Sequence, residues 1–401
     1  MLEKLALASG KKRLSSQTGF IQDRDAISIL ENFLYAYALF RSKTVENICE
    51  GKAFLEKLLA FEVEGNFPVH LHEFPKCLDS RFSSYLLPPI FYLFRDFSTV
   101  LGEDLSNKLS ALSERIVRYL QKQPSLSAAA NGRLTAFLKT FDPTIWTPKS
   151  PEEWGEYCVC AQMAQVDIPE HPPIWNSFLS TYIGFTKERI QEGYSPKVTL
   201  LDFFMPPCSE RSLGEHQALL KAVLVHPWQT QMPRSQDKPY AVFIEELQKQ
   251  CFTLYWGSSQ QVHSLVLESK KGTWSFAPSS QGWIATYQYD SEVPSEEDCV
   301  EWAFYLNEST SHTVQIDQHA ATLFHPGQEV SILSEGMKIT FHVQADSADG
   351  VWTGHILKGD RSFQRGTALP YGGYDKKLGW RTVRRKPQAS ITLHINIEVL
   401  S

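Results

Sequence analysis

Histidine and acidic side chains lie close together in an irregular segment of the first half of the sequence. This segment, GNFPVHLHEFPKCLDS over residues 65–80, contains two prolines and a glycine, which interrupt helical periodicity. On an extended chain His70 and His72 would face the same side, and a glutamate follows His72 directly. An imidazole beside a carboxylate can act as a general base. Because Arg81 and Tyr85 follow closely, the segment predicts a site for proton transfer.

The same segment also has a purely structural interpretation. Its apolar residues, from Phe67 to Phe74, would fill a helical layer while the histidines hydrogen-bond to the backbone. Two histidines in an H-x-H pattern without a third ligand specify neither a metal site nor a catalytic pair. The sequence leaves both interpretations open.

A second group of polar and aromatic side chains lies near the end of the sequence, in residues 353–364 and 371–385. Glycines there let the backbone approach a ligand closely, arginines offer paired donors to a carboxylate or sulfate, and tyrosines offer a stacking face. The predicted substrate-binding residues are His70, His355, Arg361, Tyr371, Tyr374 and Arg384. The alternative is an ion-pair network that joins two strands and has no binding role.

The elements that must position these side chains change type near the middle of the chain. Up to about residue 206 the apolar residues recur at helical spacing, and from about residue 219 they alternate as in strands. The last strand is the clearest, since five apolar residues from Ile391 to Val399 share one face. The pattern predicts a multidomain protein, with an antiparallel α/α helical domain (an incomplete toroid or a bundle) followed by an antiparallel β-sandwich.

The periodicity also predicts individual elements. Helices are predicted over residues 24–41, 44–61, 105–120, 127–140, 151–165 and 174–192. Strands are predicted over 219–226, 240–244, 251–256, 262–268, 273–277, 283–289, 299–307, 329–333, 337–345, 350–358, 378–384 and 390–399. The helix at 151 has the best start, because Ser150, Pro151 and Glu153 fit a capping box. We expect a mobile leader over 1–20, the helical domain over 21–205, a linker over 206–216 and the sandwich over 217–401.

Composition and charge argue against several classes of protein. The net charge of −6, from 39 basic and 45 acidic side chains, provides no positive field for nucleic acid. The seven cysteines are odd in number and dispersed, which indicates free thiols and not a disulfide framework. The sequence contains no phosphate-binding glycine loop, dinucleotide fingerprint, serine-hydrolase elbow or zinc-protease motif. We therefore expect no cofactor and no metal.

The apolar runs of the sequence are short. The first 20 residues lack the long apolar core of a secretory signal, and no later run reaches the roughly 18 residues of a membrane span. We therefore expect a cytoplasmic protein without a membrane span, with export by a specialised system as the open alternative.

Two stretches resemble known protein families. The order of helical region and sandwich, with GHILKGDRSFQ and YDKKLGWRTVRR near the end, resembles heparinase II/III-like polysaccharide lyases over about residues 250–401. The resemblance implies β-elimination at a uronate, in which one group neutralises the carboxylate, a base removes the adjacent proton and an acid protonates the leaving oxygen. The nearest residues of those chemical types, His72, Arg81 and Tyr85, are the predicted catalytic set. Residues 65–80 also resemble uncharacterised chlamydial proteins, which implies a bacterial source.

The sequence thus predicts a carbohydrate-active or carbohydrate-binding protein related to polysaccharide lyases, with or without remaining catalytic activity. Its partner would be an acidic polysaccharide. The alternative is a non-enzymatic interaction or effector protein that presents its surface to a protein partner. A concave site lined by histidine, tyrosine and arginine favours the first interpretation, and a flat apolar patch favours the second.

Overall fold

The computed structural model divides the chain into two compact units, each built from two stretches of sequence. One unit comprises Met1–Pro172 and Val198–Met232, and the other comprises Pro173–Lys197 and Pro233–Ser401. The structure describes residues 2–148, 150–167, 173–179, 181–183, 198–204, 216–226, 235–236, 238–245, 251–258, 262–269, 272–290, 300–307, 313–334, 337–348, 350–359, 374–385 and 390–400.

The first unit is helical. The helices among its described residues are α1 (Leu2–Arg13), α2 (Ile29–Arg41), α3 (Val45–Leu59), α4 (Leu87–Leu101), α5 (Glu103–Gln121), α6 (Ala128–Phe137), α7 (Pro151–Ala164), α8 (Leu201–Phe204) and α9 (His216–Lys221). Short 3₁₀ helices lie at Leu71–Glu73, Phe82–Leu86 and Ala222–Leu224. None of the helices in the described ranges is both long and apolar enough to cross a lipid bilayer.

Local sequence explains where several helices begin and which face they bury. Ser28 and Ser127 cap α2 and α6 by accepting hydrogen bonds from backbone nitrogens of the first turn. The Ser150 hydroxyl accepts from the backbone nitrogen of Glu153 at 3.1 Å, which confirms the predicted start of α7. Helix α5 buries the apolar stripe from Leu105 to Leu120, as its spacing predicted.

The second unit is built from strands. They are β1 (Ile174–Asn176), β2 (Thr181–Ile183), β3 (Ser235–Gln236), β4 (Tyr240–Glu245), β5 (Cys251–Gly257), β6 (Val262–Ser269), β7 (Thr273–Pro278), β8 (Gly282–Asp290), β9 (Glu301–Asn307), β10 (Thr313–Ile316), β11 (Leu323–Phe324), β12 (Glu329–Ser334), β13 (Met337–Ala348), β14 (Gly350–Lys358), β15 (Lys376–Arg385) and β16 (Ser390–Leu400). Two large sheets have the orders β10-β12-β13-β16-β8-β7 and β11-β14-β15-β9-β6-β5-β4, and a small sheet has the order β2-β1-β3.

The two large sheets share one apolar core. Phe304 on β9 stacks on Phe341 on β13, with 4.1 Å between ring centroids, so the two inner faces are in contact. The apolar face of β16, from Ile391 to Val399, is buried in this core, as the alternation predicted. The fold is therefore a helical region followed by an antiparallel β-sandwich.

The structure differs from the predicted domain boundaries at both ends of the helical unit. Residues 2–13 of the expected mobile leader form α1, where Ala6 is buried and Arg13 makes an ion pair with Glu31. The predicted strand 219–226 is instead α9 followed by a 3₁₀ turn, and it belongs to the helical unit. A short apolar run fits a strand or a buried helical turn equally well, which explains the error.

The predicted helix over 174–192 also differs from the structure. Residues 174–176 and 181–183 are the paired strands β1 and β2, which lie in the second unit. Trp175 packs edge-to-face on Tyr182 across the pair. Residue 180, residues 184–192 of that predicted helix and nearly all of the predicted linker, residues 206–215, lie outside the described residues. The chain therefore leaves the helical unit after residue 172, returns at 198 and leaves again after 232.

Candidate functional site

The two histidines of the irregular segment are neighbours at the surface. The rings of His70 and His72 stack with 5.6 Å between centroids, and His70 Nδ1 lies 3.5 Å from Glu73 Oε1. Glu73 Oε2 accepts a hydrogen bond from the backbone nitrogen of Val69 at 3.2 Å, which fixes the carboxylate to its own turn. His72 is exposed.

The other two predicted catalytic residues have different neighbours. Arg81 is exposed beside Asp79 and lines a shallow groove of about 350 Å³. The ring of Tyr85 lies under the guanidinium of Arg133, 3.7 Å from its carbon, in the packing between α4, α6 and α7. No hydrogen bond or ring contact among the described residues joins His72, Arg81 and Tyr85 to one another. Their assignment as one catalytic set stays a prediction.

The predicted binding residues of the sandwich are only partly described. Arg361 and Tyr371 lie outside the described residues, and Arg384 is placed by its backbone on β15, opposite Val351 of β14. His355 on β14 lies opposite Gly379 on β15, and Tyr374 packs on Tyr305 with 5.1 Å between ring centroids. The grouping of these residues as a substrate site stays a prediction.

The electrostatics around His355 come from side chains on the same sheet face. Burial lowers the pKa of His355, Glu301 acts against this, and the cations Lys377 and Arg381 lower the pKa further. Lys377 makes an ion pair with Glu301 and lies 5.8 Å from the centre of the Tyr305 ring. The face combines aromatic rings with charged groups of both signs.

A third group of side chains, which the sequence analysis did not identify, has the densest polar contacts around a histidine. We call Tyr37, Tyr92, Arg95, Asp96 and His226 the histidine cluster. His226 Nε2 lies 3.1 Å from the Tyr37 hydroxyl, and Arg95 Nη2 lies 3.0 Å from His226 Nδ1. The Tyr37 hydroxyl also lies 3.2 Å from Asp96 Oδ2, and the ring of Tyr92 lies 4.4 Å from that of His226.

Contacts from other helices hold His226 in this position. Gln162 on α7 donates from Nε2 to the backbone oxygen of His226 at 2.8 Å and accepts from its backbone nitrogen at 3.5 Å. Arg41, at the end of α2, donates to the backbone oxygens of Val223 and Val225. The 3₁₀ turn and the residues after it, up to His226, are therefore fixed to α2 and α7, and α2 and α4 supply the other members of the cluster.

Helix α4 changes its backbone geometry next to the cluster. Phe97 has φ −135° and ψ 18°, outside the helical region, directly after Arg95 and Asp96. Its ring packs against those of Tyr37 and Phe40 on α2, with centroid distances of 6.2 and 5.6 Å. The non-helical residue therefore follows the Arg95–Asp96 pair directly and packs against the C-terminal half of α2.

The surroundings keep the imidazole of His226 uncharged. Burial lowers its pKa to about 4, and the positive charges of Arg95 and Arg41 act in the same direction, against Asp96 and Glu3. Burial raises the pKa of Tyr37, and the negative charge of Asp96 adds to this effect. Burial alone would raise the pKa of Asp96, but the hydrogen bonds and the positive charge of Arg95 outweigh this effect, so the pKa is lowered. At neutral pH the cluster holds a neutral base, a neutral phenol and one ion pair.

The cluster is open to solvent on one side. The side chain of Arg95 is 36% exposed, that of Asp96 25% and that of His226 17%, whereas Tyr37 is fully buried. A dissolved ligand can therefore reach the guanidinium and the imidazole but not the phenol. Among the described residues, no group of three or more His, Cys, Asp or Glu side chains is arranged to hold a metal ion.

Few features of the sequence indicated this cluster. His226 follows an apolar run that was interpreted as a strand, and its partners Arg95 and Tyr37 are 131 and 189 residues away. The usable signal was the Arg95–Asp96 pair inside the otherwise apolar stretch LPPIFYLFRDF, since a charged pair on a packed helix usually has a partner or a function.

Comparison with known proteins gives a weak structural likeness. No family model matches the sequence, and no curated protein matches it. A crystal structure of heparinase III aligns with 99% of this chain and 84% of its own, at a TM-score of 0.34 and 11% sequence identity. These values indicate a weak structural resemblance and carry no conclusion about activity. The likeness of residues 65–80 to chlamydial proteins has no support in these comparisons.

Proposed function

We propose that the protein is a carbohydrate-active enzyme that cleaves an acidic polysaccharide by β-elimination, and that the histidine cluster is its active site. One observation carries the proposal. A solvent-accessible guanidinium, Arg95, lies 3.0 Å from the imidazole of His226, whose pKa is low enough to keep it neutral. Elimination beside a carboxylate needs a cation for the carboxylate and a neutral base next to it.

Arg95 would hold the carboxylate of the uronate. Its Nε and Nη2 contact Asp96, Nη2 also contacts His226 Nδ1, and among the described residues none supplies a partner to Nη1, so a carboxylate bound at Nη1 and Nη2 would take one Nη2 donor from His226. A guanidinium edge binds a carboxylate through two parallel hydrogen bonds. A uronate bound there would have the carbon next to its carboxylate close to the ring of His226. Neutralising the carboxylate makes the hydrogen on that carbon more acidic.

His226 would remove that proton through Nδ1. The hydrogen-bond network assigns the tautomer: Nε2–H donates to the Tyr37 oxygen and the Tyr37 hydroxyl donates to Asp96, so the lone pair is on Nδ1, where it accepts from Arg95 Nη2 until a bound carboxylate takes that donor. As the C–H bond breaks, its electron pair forms a carbon–carbon double bond and the bond from the next carbon to the glycosidic oxygen breaks. The imidazolium then returns the proton to the leaving oxygen. Tyr37 positions the ring and does not touch the substrate.

The remaining predicted residues fit this proposal as binding groups at most. His70, His355 and Tyr374 stay candidates for contacts with other sugars of the chain, as do Arg361, Tyr371 and Arg384. The cytoplasmic location and the absence of a nucleic-acid partner stay predictions as well. So does the non-enzymatic alternative, for which the exposed apolar side chains Val45, Leu78 and Ile145 of the helical unit would be a starting point.

The test measures the ultraviolet absorbance of the unsaturated product on a panel of uronate polysaccharides, with neutral dextran as the negative substrate. His226→Gln is expected to reduce the rate about 100-fold or more, since general-base catalysis contributes that much. His319→Gln, an exposed histidine of the sandwich unit, is the matched control and should retain the parent rate.

Two outcomes contradict the proposal. No absorbance change on any uronate polysaccharide excludes the activity for those substrates. Activity that survives His226→Gln but is lost in His72→Ala or Tyr85→Phe moves the active site to the segment that the sequence analysis predicted. Circular dichroism of each variant checks that the helices are intact.

A further inference from the structure

The ion pair between Arg95 and Asp96 joins adjacent residues of a helix. Side chains at adjacent positions point about 100° apart around a regular helix and do not face each other. Here the guanidinium nevertheless donates two hydrogen bonds to the carboxylate, from Nε to Oδ1 at 2.6 Å and from Nη2 to Oδ2 at 3.0 Å. The non-helical backbone of Phe97 follows directly. The pair therefore has the bidentate geometry with which arginine binds a carboxylate ligand.

Arg95 is not saturated by these contacts. A guanidinium has five N–H donors. The single donor of Nε and the two of Nη2 serve Asp96 and His226, and no described residue meets the two donors of Nη1. The ring of Tyr92 covers one face of the guanidinium, 4.5 Å from its carbon. The guanidinium thus has a covered face, an edge that Asp96 occupies and a free end beside His226.

Asp96 is only partly buried. Its side chain is 25% exposed, and its other described polar partners are the Tyr37 hydroxyl and His226, whose Nε2 is 3.7 Å from Oδ2. A second carboxylate placed at Nη1 and Nη2 would lie close to Asp96. The two negative charges would repel each other, and both would compete for the positive charge of the one guanidinium.

We infer that Asp96 is an internal substitute for the ligand's carboxylate: it occupies Arg95 in the free protein, and an acidic sugar must compete with it for the guanidinium. Asp96 therefore lowers the affinity of the site for every carboxylate, so that only a ligand with further contacts along the sugar chain binds well. The inference deepens the proposed function and rests on it for the identity of the ligand.

The test is equilibrium binding of glucuronate and glucose to the full chain, measured by calorimetry at neutral pH and low salt. Asp96→Asn removes the charge and keeps an oxygen that can accept from Tyr37. It is expected to bind glucuronate about fivefold more tightly than the parent protein, which corresponds to the loss of one partly exposed opposing charge. Arg95→Gln should abolish glucuronate binding, and glucose should bind to none of these proteins.

A matched control and a second variant keep the result interpretable. Asp104→Asn removes an exposed carboxylate that pairs with Lys108 on α5, away from the cluster, and should bind as the parent protein does. Asp96→Ser should reproduce the gain in affinity if Asp96→Asn fails to fold, as thermal unfolding would reveal. Equal or weaker glucuronate binding by folded Asp96 variants overturns the inference, as does a lack of binding by both parent and variants.

The same experiment separates this inference from the proposed function. Binding is measured without turnover, so tighter glucuronate binding by Asp96→Asn in a protein that cleaves no polysaccharide would contradict the lyase activity and leave the competition at Arg95 supported. Conversely, a lyase whose KM is unchanged by Asp96→Asn would keep its activity and overturn the role of Asp96.

Discussion

His226 in the helical unit and His355 in the sandwich have neighbours of the same chemical kinds, yet the two sites are built differently. Each imidazole lies near an acidic side chain and two cations: Asp96, Arg95 and Arg41 around the first, and Glu301, Lys377 and Arg381 around the second. In the helical unit a guanidinium lies 3.0 Å from the ring itself. In the sandwich Lys377 is paired with Glu301. The comparison shows that composition around a histidine does not decide its role, whereas the direct partner of the ring does.

The largest expected difference between the two sites is in stability. His226→Ala removes a ring that packs on Tyr92 and bonds to Tyr37, so it should lower the free energy of unfolding of the helical unit by about 3 kcal/mol. His355→Ala should lower that of the sandwich by less than about 1 kcal/mol, because the ring is only partly buried on one sheet face. Denaturant titrations followed by circular dichroism and by tryptophan fluorescence measure the two units. Equal losses would contradict the comparison.

The next effect is the pH dependence of stability. The unfolded chain binds a proton at His226 below its ordinary pKa of 6.5, but the folded protein does so only near pH 4. The unfolded state therefore holds more protons between these values, and the free energy of unfolding falls by about 2–3 kcal/mol as the pH drops through this window. His226→Gln removes this contribution, so parent and variant should converge towards pH 4. A constant difference between parent and variant over this range would show that His226 is not neutralised by its surroundings.

The smallest expected effect is on the pKa values of the two histidines when a neighbouring cation is removed. Arg95→Gln removes the cation next to His226 and should raise the pKa of that imidazole by about one unit. Lys377→Gln should change the pKa of His355 less, because no hydrogen bond among the described residues joins the lysine to that ring, whereas Arg95 lies 3.0 Å from His226 Nδ1. Titration of the imidazole resonances by nuclear magnetic resonance measures both shifts. A larger shift at His355 would reverse the interpretation of the two sites.

The comparison also explains how much could be predicted from sequence. Strand β14 has the bounds that alternation predicted, 350–358, and alternation also places His355 on one face of it. Such side chains follow from a period of two and need no long-range information. The fold class and helices such as α5 and α7 were accessible for the same reason, since their signals lie within one segment.

The histidine cluster could not be predicted in this way. Its members lie on α2, on α4 and after a short 3₁₀ turn, and no local period relates Tyr37 to His226 across 189 residues. The apolar run before His226 is compatible with a strand, and the contacts of its last residues with Arg41 and Gln162 come from distant parts of the chain. The predicted set of His72, Arg81 and Tyr85 shows the opposite case, since proximity in sequence did not bring those side chains into contact.

The passage of the chain through the second unit between residues 173 and 197 has a consequence for how the cluster is completed. During synthesis, Tyr37, Arg95 and Asp96 emerge first. His226 follows only after residues 173–197 of the second unit have been made and the chain has returned to the helical unit. A fragment cut at residue 205, the predicted end of the helical domain, would carry the arginine and the phenol without their histidine. A fragment that contains the complete helical unit must therefore include residues 198–232.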